Sequence, residues 1–361
     1  MGDLALIAGP ALGHFGRLYE VAIRLRELTD HRIVFIRPDF DRFDPAVFTE
    51  RFDTIRLPTK REKPCLPCLP FGDALEELFA DRRFDAIVQD CNPLGWLATA
   101  RLPDWTRINV TNVFLTRAAG LYTQQARSFE RQVDHINAAR AAKDMPPVRD
   151  VHELYEADAV LYADPGPILS LFPDLPEHHH GCGGCWWTYE GDVPGEIAGL
   201  DNFLLCSLGS TGRMPEVELF ETVADLFDCG DIVCVHTETE GKRPVTASSR
   251  RIHYFDRLPL AAVMAKAGAV LSQGGAGSTY QALAAGKPMA IKPTHINHAI
   301  LGDMVERLGA GIAADSRGRL PYADRDMGEE FRHGAQAAAA AMSDEDGASE
   351  IARRIAEIAA V

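Results

Sequence analysis

Residues 270–288 read VLSQGGAGSTYQALAAGKP, an apolar run that enters paired glycines and then a helical stretch. Gly274, Gly275 and Gly277 let a backbone approach a ligand closely, and Ser278 and Thr279 lead into the helix. At such a strand–loop–helix junction, free N–H groups and the positive helix end face an anion, and phosphate suits that geometry. The polar side chain at the loop entrance is Gln273. The cysteines offer a second chemistry. Cys65 and Cys68 in PCLPC, and Cys182 and Cys185 in HHHGCGGC, form two Cys-x-x-Cys pairs. Four thiolates in two such pairs are the ligand set of a structural zinc ion. The alternative is two unrelated reduced pairs, or a redox-sensitive site. Cys91, Cys206, Cys229 and Cys234 lie in or beside apolar runs and are read as core.

These residues need a scaffold, and the pattern supplies one. LALIAG, RIVFIRP, FDAIVQD, RINVTN and ADAVLYAD read as buried strands in the first half. Between the first two, Leu18, Val21, Ala22, Leu25 and Leu28 recur at helical spacing. NFLLCSLGS, DIVCVHT, RIHYFD, AVLSQGG and KPMAIKP repeat the pattern in the second half, with helices expected over 215–227, 258–267, 277–285 and 298–308. Alternating strand and helix implies α/β architecture with parallel, doubly wound sheets. The Pro- and Gly-rich segment near 172–200 divides the halves. The expected organisation is a first domain over 1–180, a linker over 181–200, a second domain over 201–345 and a C-terminal helix over 346–361, with SDEDG capping that helix.

Composition narrows the function class. The chain has 361 residues, a formal net charge of −15, 46% hydrophobic and 25% charged residues. Its length suits two cores, and its negative charge argues against general nucleic-acid or anionic-membrane binding. No apolar stretch suffices for a bilayer span, and the N-terminus lacks the regions of a signal peptide. A cytosolic protein is therefore expected. Trp186 and Trp187 are read as packing residues, with the lining of a pocket as the alternative, and 113–135 as a helical wall.

SQGGAGSTYQALAAGKPMAIKPTHINHAILGDMVERLGAG resembles the donor-binding signature of nucleotide-sugar-dependent glycosyltransferases of the GT-B fold. GPALGHFGRLYEVAIRLREL near the N-terminus and LLCSLGSTG opening the second half extend the resemblance, which lies closest to bacterial macrolide and plant enzymes. It implies two Rossmann-like domains facing a central cleft, with the donor on the second and the acceptor on the first. By this resemblance Gly209, Ser210, Gly274, Gly275, Gly277 and Ser278 cradle the diphosphate. Gln273 stands where the family has a histidine, and Gln281 where it has the glutamate that holds the ribose. Arg257 replaces the aromatic platform for the base, and Asn297-His298 the Asp-Gln pair that reads sugar hydroxyls. Each replacement still hydrogen-bonds, and a guanidinium can stack on a base.

The resemblance also implies a catalytic base. His14 follows the first strand in LGHFG, and Asp90 ends the fourth in IVQD. In the family this histidine deprotonates the acceptor hydroxyl and the carboxylate orients it, work that suits an imidazole near neutral pH. The expected reaction is inverting transfer from a nucleotide diphosphate sugar to a small-molecule hydroxyl, with no catalytic cofactor. Two alternatives stand beside it: a catalytically silent GT-B subunit that binds a nucleotide or a partner, and a sugar-nucleotide epimerase or hydrolase. Composition does not indicate an oligomeric state.

Overall fold

The computed structural model describes residues 2–48, 51–59, 67–119, 123–208, 217–235, 248–315, 317–321 and 324–360. The chain divides into two compact units. The first holds 2–164, 172–185 and 346–360; the second holds 165–171 and 186–345. The division thus follows Cys185, and the expected linker is shared out between the units. The C-terminal helix is part of the first unit.

The first unit is built on a seven-stranded sheet. Its strands are β1 (Asp3–Ala8), β2 (Arg32–Pro38), β3 (Asp53–Leu57), β4 (Ala86–Asp90), β5 (Thr106–Thr111), β6 (Ala159–Tyr162) and β7 (His179–Gly181). Their order is β3-β2-β1-β4-β5-β6-β7, with every neighbouring pair parallel. The helices are α1 (Leu12–Leu28), α2 (Leu69–Asp81), α3 (Pro93–Trp96), α4 (Thr123–Ala141) and the C-terminal helix, here α12 (Gly347–Ala359). Helices cover both faces, so Leu4 to Ala8 of β1 are buried without alternation. On one face Phe71, Leu75 and Phe79 of α2 pack on Ala5, Ile7, Val34 and Ile87. On the other, α1 buries Leu18, Val21, Ala22 and Leu25 and packs against α12. The Asp346 side chain caps α12 by accepting from Ser349 N at 3.1 Å, as expected of SDEDG.

The second unit carries a six-stranded parallel sheet. Its strands are β8 (Phe203–Ser207), β9 (Ile232–Val235), β10 (Ile252–Phe255), β11 (Ala267–Ser272), β12 (Met289–Ile291) and β13 (Gly311–Ala313), in the order β10-β9-β8-β11-β12-β13. Its helices are α5 (Gly166–Leu169), α6 (Gly195–Ala198), α7 (Val217–Leu226), α8 (Leu260–Lys266), α9 (Ala276–Ala284), α10 (Ile296–Arg307) and α11 (Arg325–Ala341). Leu219, Phe220 and Val223 of α7 pack on Leu204, Cys206 and Leu271.

Every apolar run read as a strand is one. Three edge or outer strands escape that reading. β3 is mostly exposed, and β7 and β13 have three residues each, too few to show a period. β7 lies inside the segment read as linker.

Candidate active site

In the first unit the strand order reverses between β1 and β4, the switch point at which ligands bind in doubly wound sheets. Ala8 pairs with Asp90 across that point, and Gly9 N donates to Asp90 O at 3.1 Å. The first turn of α1 therefore rises directly over the end of β4. There His14 Nδ1 lies 2.6 Å from Asp90 Oδ1. Asp90 is fully buried, while the His14 side chain keeps 32% of its exposure.

One residue of this site was not anticipated. Arg17, one turn beyond His14, donates from Nε to Asp90 Oδ2 at 2.5 Å and from an η nitrogen to Oδ1 at 2.9 Å. Its other η nitrogen donates to Asn112 Oδ1 at 3.1 Å, and Asn112 Nδ2 donates to the buried Asp164 Oδ1 at 2.9 Å. The signal was present in the helical stripe. His14 and Arg17 continue the face of Leu18, Val21 and Leu25, so an arginine stands on a core-facing line.

Burial alone would raise the Asp90 carboxyl, but the charges of Arg17 and His14 outweigh it and hold it below its ordinary value. Asp90 is then ionised and can only accept. Its hydrogen bond requires a proton on His14 Nδ1, so in the neutral ring the lone pair lies on Nε2. The arrangement is an oriented imidazole base.

The second unit reverses its strand order between β8 and β11, and the glycine loop lies there. Gly274 has φ +91°, and a Cβ would meet His298 O at 2.8 Å and Ile291 Cγ2 at 2.9 Å. Only glycine fits. Gly275, which caps α9, differs: among the described residues an added Cβ would meet only Gln273 Nε2, at 3.7 Å. Ser272 Oγ accepts from Gly274 N at 3.1 Å, and the hydroxyls of Ser278 and Ser207 lie 3.2 Å apart, joining α9 to the end of β8.

Gln273, Gln281 and His298 converge on this loop. Thr294 Oγ1 donates to the buried Gln273 Oε1 at 3.5 Å and lies 3.0 Å from His298 Nδ1. Burial, with help from neighbouring His295, pushes His298 down to about 3, so its ring is neutral. Asn297, beside it at the start of α10, has a buried Oδ1 with no hydrogen-bond partner among the described residues. Gln281 Nε2 donates to Gly277 O at 3.2 Å, and its Oε1 accepts from Thr188 at 3.4 Å. Arg257 lies 6.0 Å from the Tyr189 ring centroid, and Trp186 approaches Gly277. Trp186 and Thr188 thus approach the glycine loop and the first turns of α9.

Gly209, Ser210 and Cys65 lie outside the described residues. The other three candidate zinc thiols are not gathered. Cys68 precedes α2, while Cys182 and Cys185 are buried in the first unit and pushed up to about 12 by that burial. Among the described residues, the group with metal-ligand spacing is instead Glu156, His178 and His179.

Residues 219–358 match the family described as erythromycin biosynthesis protein CIII-like, C-terminal domain. The matched span contains the glycine loop, Arg257, Gln281, Asn297 and His298. A PGL/p-HBAD biosynthesis glycosyltransferase of Mycobacterium tuberculosis is 29% identical over 161 residues, which span 44% of this chain and only 36% of that protein. The glycotransferase of kitacinnamycin superposes over 99% of both chains with a TM-score of 0.72 and 17% identity. Os79 from O. sativa, solved in complex with UDP, does so over 99% of both chains with a TM-score of 0.65 and 17% identity. The fold is GT-B, and its two parallel-sheet units are those expected.

Proposed function

We propose that the protein is an inverting glycosyltransferase that moves a sugar from a nucleoside diphosphate onto a hydroxyl of a small natural-product acceptor. The oriented His14 carries this reading: a half-exposed imidazole, its tautomer set by an ionised Asp90 at 2.6 Å, is built to take a proton. The acceptor hydroxyl gives its proton to Nε2 as its oxygen attacks the anomeric carbon. The bond from that carbon to the diphosphate oxygen breaks, and the electron pair leaves with the diphosphate.

The glycine loop and the α9 N-terminus receive the developing charge through N–H groups and the helix dipole, so no divalent ion is needed for that step. Gly274, Gly275 and Ser278 serve there, with Gly209 and Ser210 assigned by resemblance. Asn297 Oδ1, without a partner among the described residues, and neutral His298 suit sugar hydroxyls, the first because a buried acceptor gains most from a ligand that donates to it. Arg257, held near Tyr189, offers a planar face to the base, and Gln281 an amide to the ribose. Similarity to Os79, which binds UDP, and to the mycobacterial glycosyltransferase supports the donor class.

The test is a transfer reaction with pooled sugar nucleotides and matched alcohol and phenol acceptors, read by mass spectrometry. His14→Ala should lose about 10²–10⁴-fold in turnover, more for the alcohol than for the acidic phenol, with nucleotide affinity unchanged. Full activity of His14→Ala on the alcohol removes His14 from the step. A product that retains the donor's anomeric configuration overturns the single displacement.

A further inference from the structure

We propose that Glu156, His178 and His179 form a zinc site that fastens the edge strand β7 to the first unit's sheet. Glu156 Oε2 lies 3.0 Å from His178 Nε2 and 3.2 Å from His179 Nε2, and the three ligand atoms lie within 4.8 Å of one another. With zinc–nitrogen bonds of about 2.0–2.1 Å, neighbouring ligands of a tetrahedral ion stand about 3.3 Å apart. The two distances from Glu156 Oε2 are those of a coordination polyhedron within a few tenths of an ångström.

The hydrogen bonds behind His179 make the stronger argument. Thr116 Oγ1 spends its proton on Val113 O at 2.9 Å, so Tyr162 must donate its own to Thr116, 2.6 Å away. The Tyr162 oxygen is then an acceptor toward His179 Nδ1, also at 2.6 Å, and the imidazole proton sits on Nδ1. His179 Nε2 consequently presents a lone pair to a carboxylate oxygen. Two acceptors at that distance need a cation between them. A proton would satisfy one pair, but it would charge an imidazole whose side chain is fully buried. A metal ion satisfies both and also uses His178, whose Nε2 converges on the same oxygen. Tyr162 then plays the usual outer partner of a metal-bound histidine, fixing its tautomer and ring orientation.

The location indicates a structural role. Val160 of β6 pairs with His179 of β7, and Glu156 precedes β6, so the site stands at the amino ends of these strands. His14 and Asp90 occupy the carboxyl ends of β1 and β4. A three-residue edge strand has few ladder bonds of its own, and an ion tying it to the residue before β6 supplies what they lack. His180 takes no part: its charged neighbours are Arg354 and Glu350 of α12, besides His178. Exposed His178 and half-buried Glu156 leave the fourth position to water. Two imidazoles and one carboxylate suit zinc.

The experiment uses the full chain, stripped with a chelator and titrated calorimetrically with zinc alone, as wild type, Glu156→Gln and His178→Ala. Glu156→Gln keeps the shape of the side chain, and His178 is exposed enough that its loss spares the fold, which circular dichroism monitors. The wild type should bind one more equivalent of zinc than either variant, or bind it at least tenfold more tightly. Its melting temperature should rise with zinc concentration while those of the variants stay unmoved. Cobalt in place of zinc should give visible absorption bands in the wild type alone. No zinc uptake by the wild type, or the same stoichiometry and affinity in both variants, overturns the proposal.

Discussion

The two units use the same place in the same topology and fill it in opposite ways. At β1/β4 the first unit gathers charge: His14, Asp90, Arg17 and, through Asn112, Asp164. At β8/β11 the second unit gathers serine hydroxyls, glutamine amides, a neutral histidine and the N-terminus of α9. The difference follows from the work proposed for each. A general base must have its proton assigned by a fixed partner, and burying that partner's charge demands a counter-charge, which Arg17 supplies. An anion site in a chain of net charge −15 instead works by dipoles already held in place by the helix and loop, without a buried cation to balance in the unliganded protein.

That contrast can be broken most forcefully at Arg17. Arg17→Met leaves Asp90 buried and uncompensated, and should cost about 3–5 kcal/mol at neutral pH in denaturant unfolding. The penalty should shrink as the pH falls and Asp90 takes a proton. Gln281→Met, the matching deletion at the other switch point, should cost only about 1–3 kcal/mol, since the groups left unpaired are neutral. Equal losses from the two would erase the distinction between a charge-balanced and a dipolar site.

The glycines sharpen it next. Gly275→Val should leave the melting temperature close to wild type, because among the described residues an added Cβ meets only Gln273, and should abolish nucleotide binding by filling the loop. Gly274→Ala should do the reverse in part, destabilising the fold by about 1–3 kcal/mol for its left-handed backbone and its clash with His298 O. Calorimetry with UDP and dTDP separates them. Undiminished binding by Gly275→Val would detach the loop from the ligand.

The smallest effect is a slope. Burial holds His298 near 3, below its ordinary 6.5, so the unfolded chain binds a proton that the folded chain refuses. Stability from this group is complete above about pH 6.5 and is lost as the pH falls toward 3. His298→Gln should flatten the stability profile in that window by up to ~1.4 kcal/mol per pH unit relative to wild type. Parallel profiles would mean that the ring is not held neutral.

Much of this was open to reading along the chain. Long buried strands announce themselves because both faces are covered, and LALIAG or AVLSQGG has no polar alternation to confuse it. The glycine loop and His14 were legible for a related reason, since backbone approach and helix entry are local demands. Arg17 was visible as a charge on an apolar stripe, yet nothing in its own neighbourhood names Asp90, 73 residues away, as its partner. The cysteines mislead in the same way. Two Cys-x-x-Cys pairs have metal spacing within each pair, but Cys182 and Cys185 are drawn into the first unit's core by their apolar character, away from ligand distance of Cys68.

By itself, the sequence determined the alternation of strand and helix, the two parallel sheets, the phosphate-type loop and the helix-entry histidine. Each rests on periodicity or on backbone freedom, which operate over a few residues. Only the tertiary structure decided that the edge strand β7 opens within a triplet of histidines, that Asp90 is shared between His14 and Arg17, and that Trp186 and Thr188 approach the glycine loop and α9. Those outcomes depend on strand order. A crossover places β4 beside β1 and β11 beside β8, and side chains far apart in the chain meet only after the sheet has chosen its neighbours.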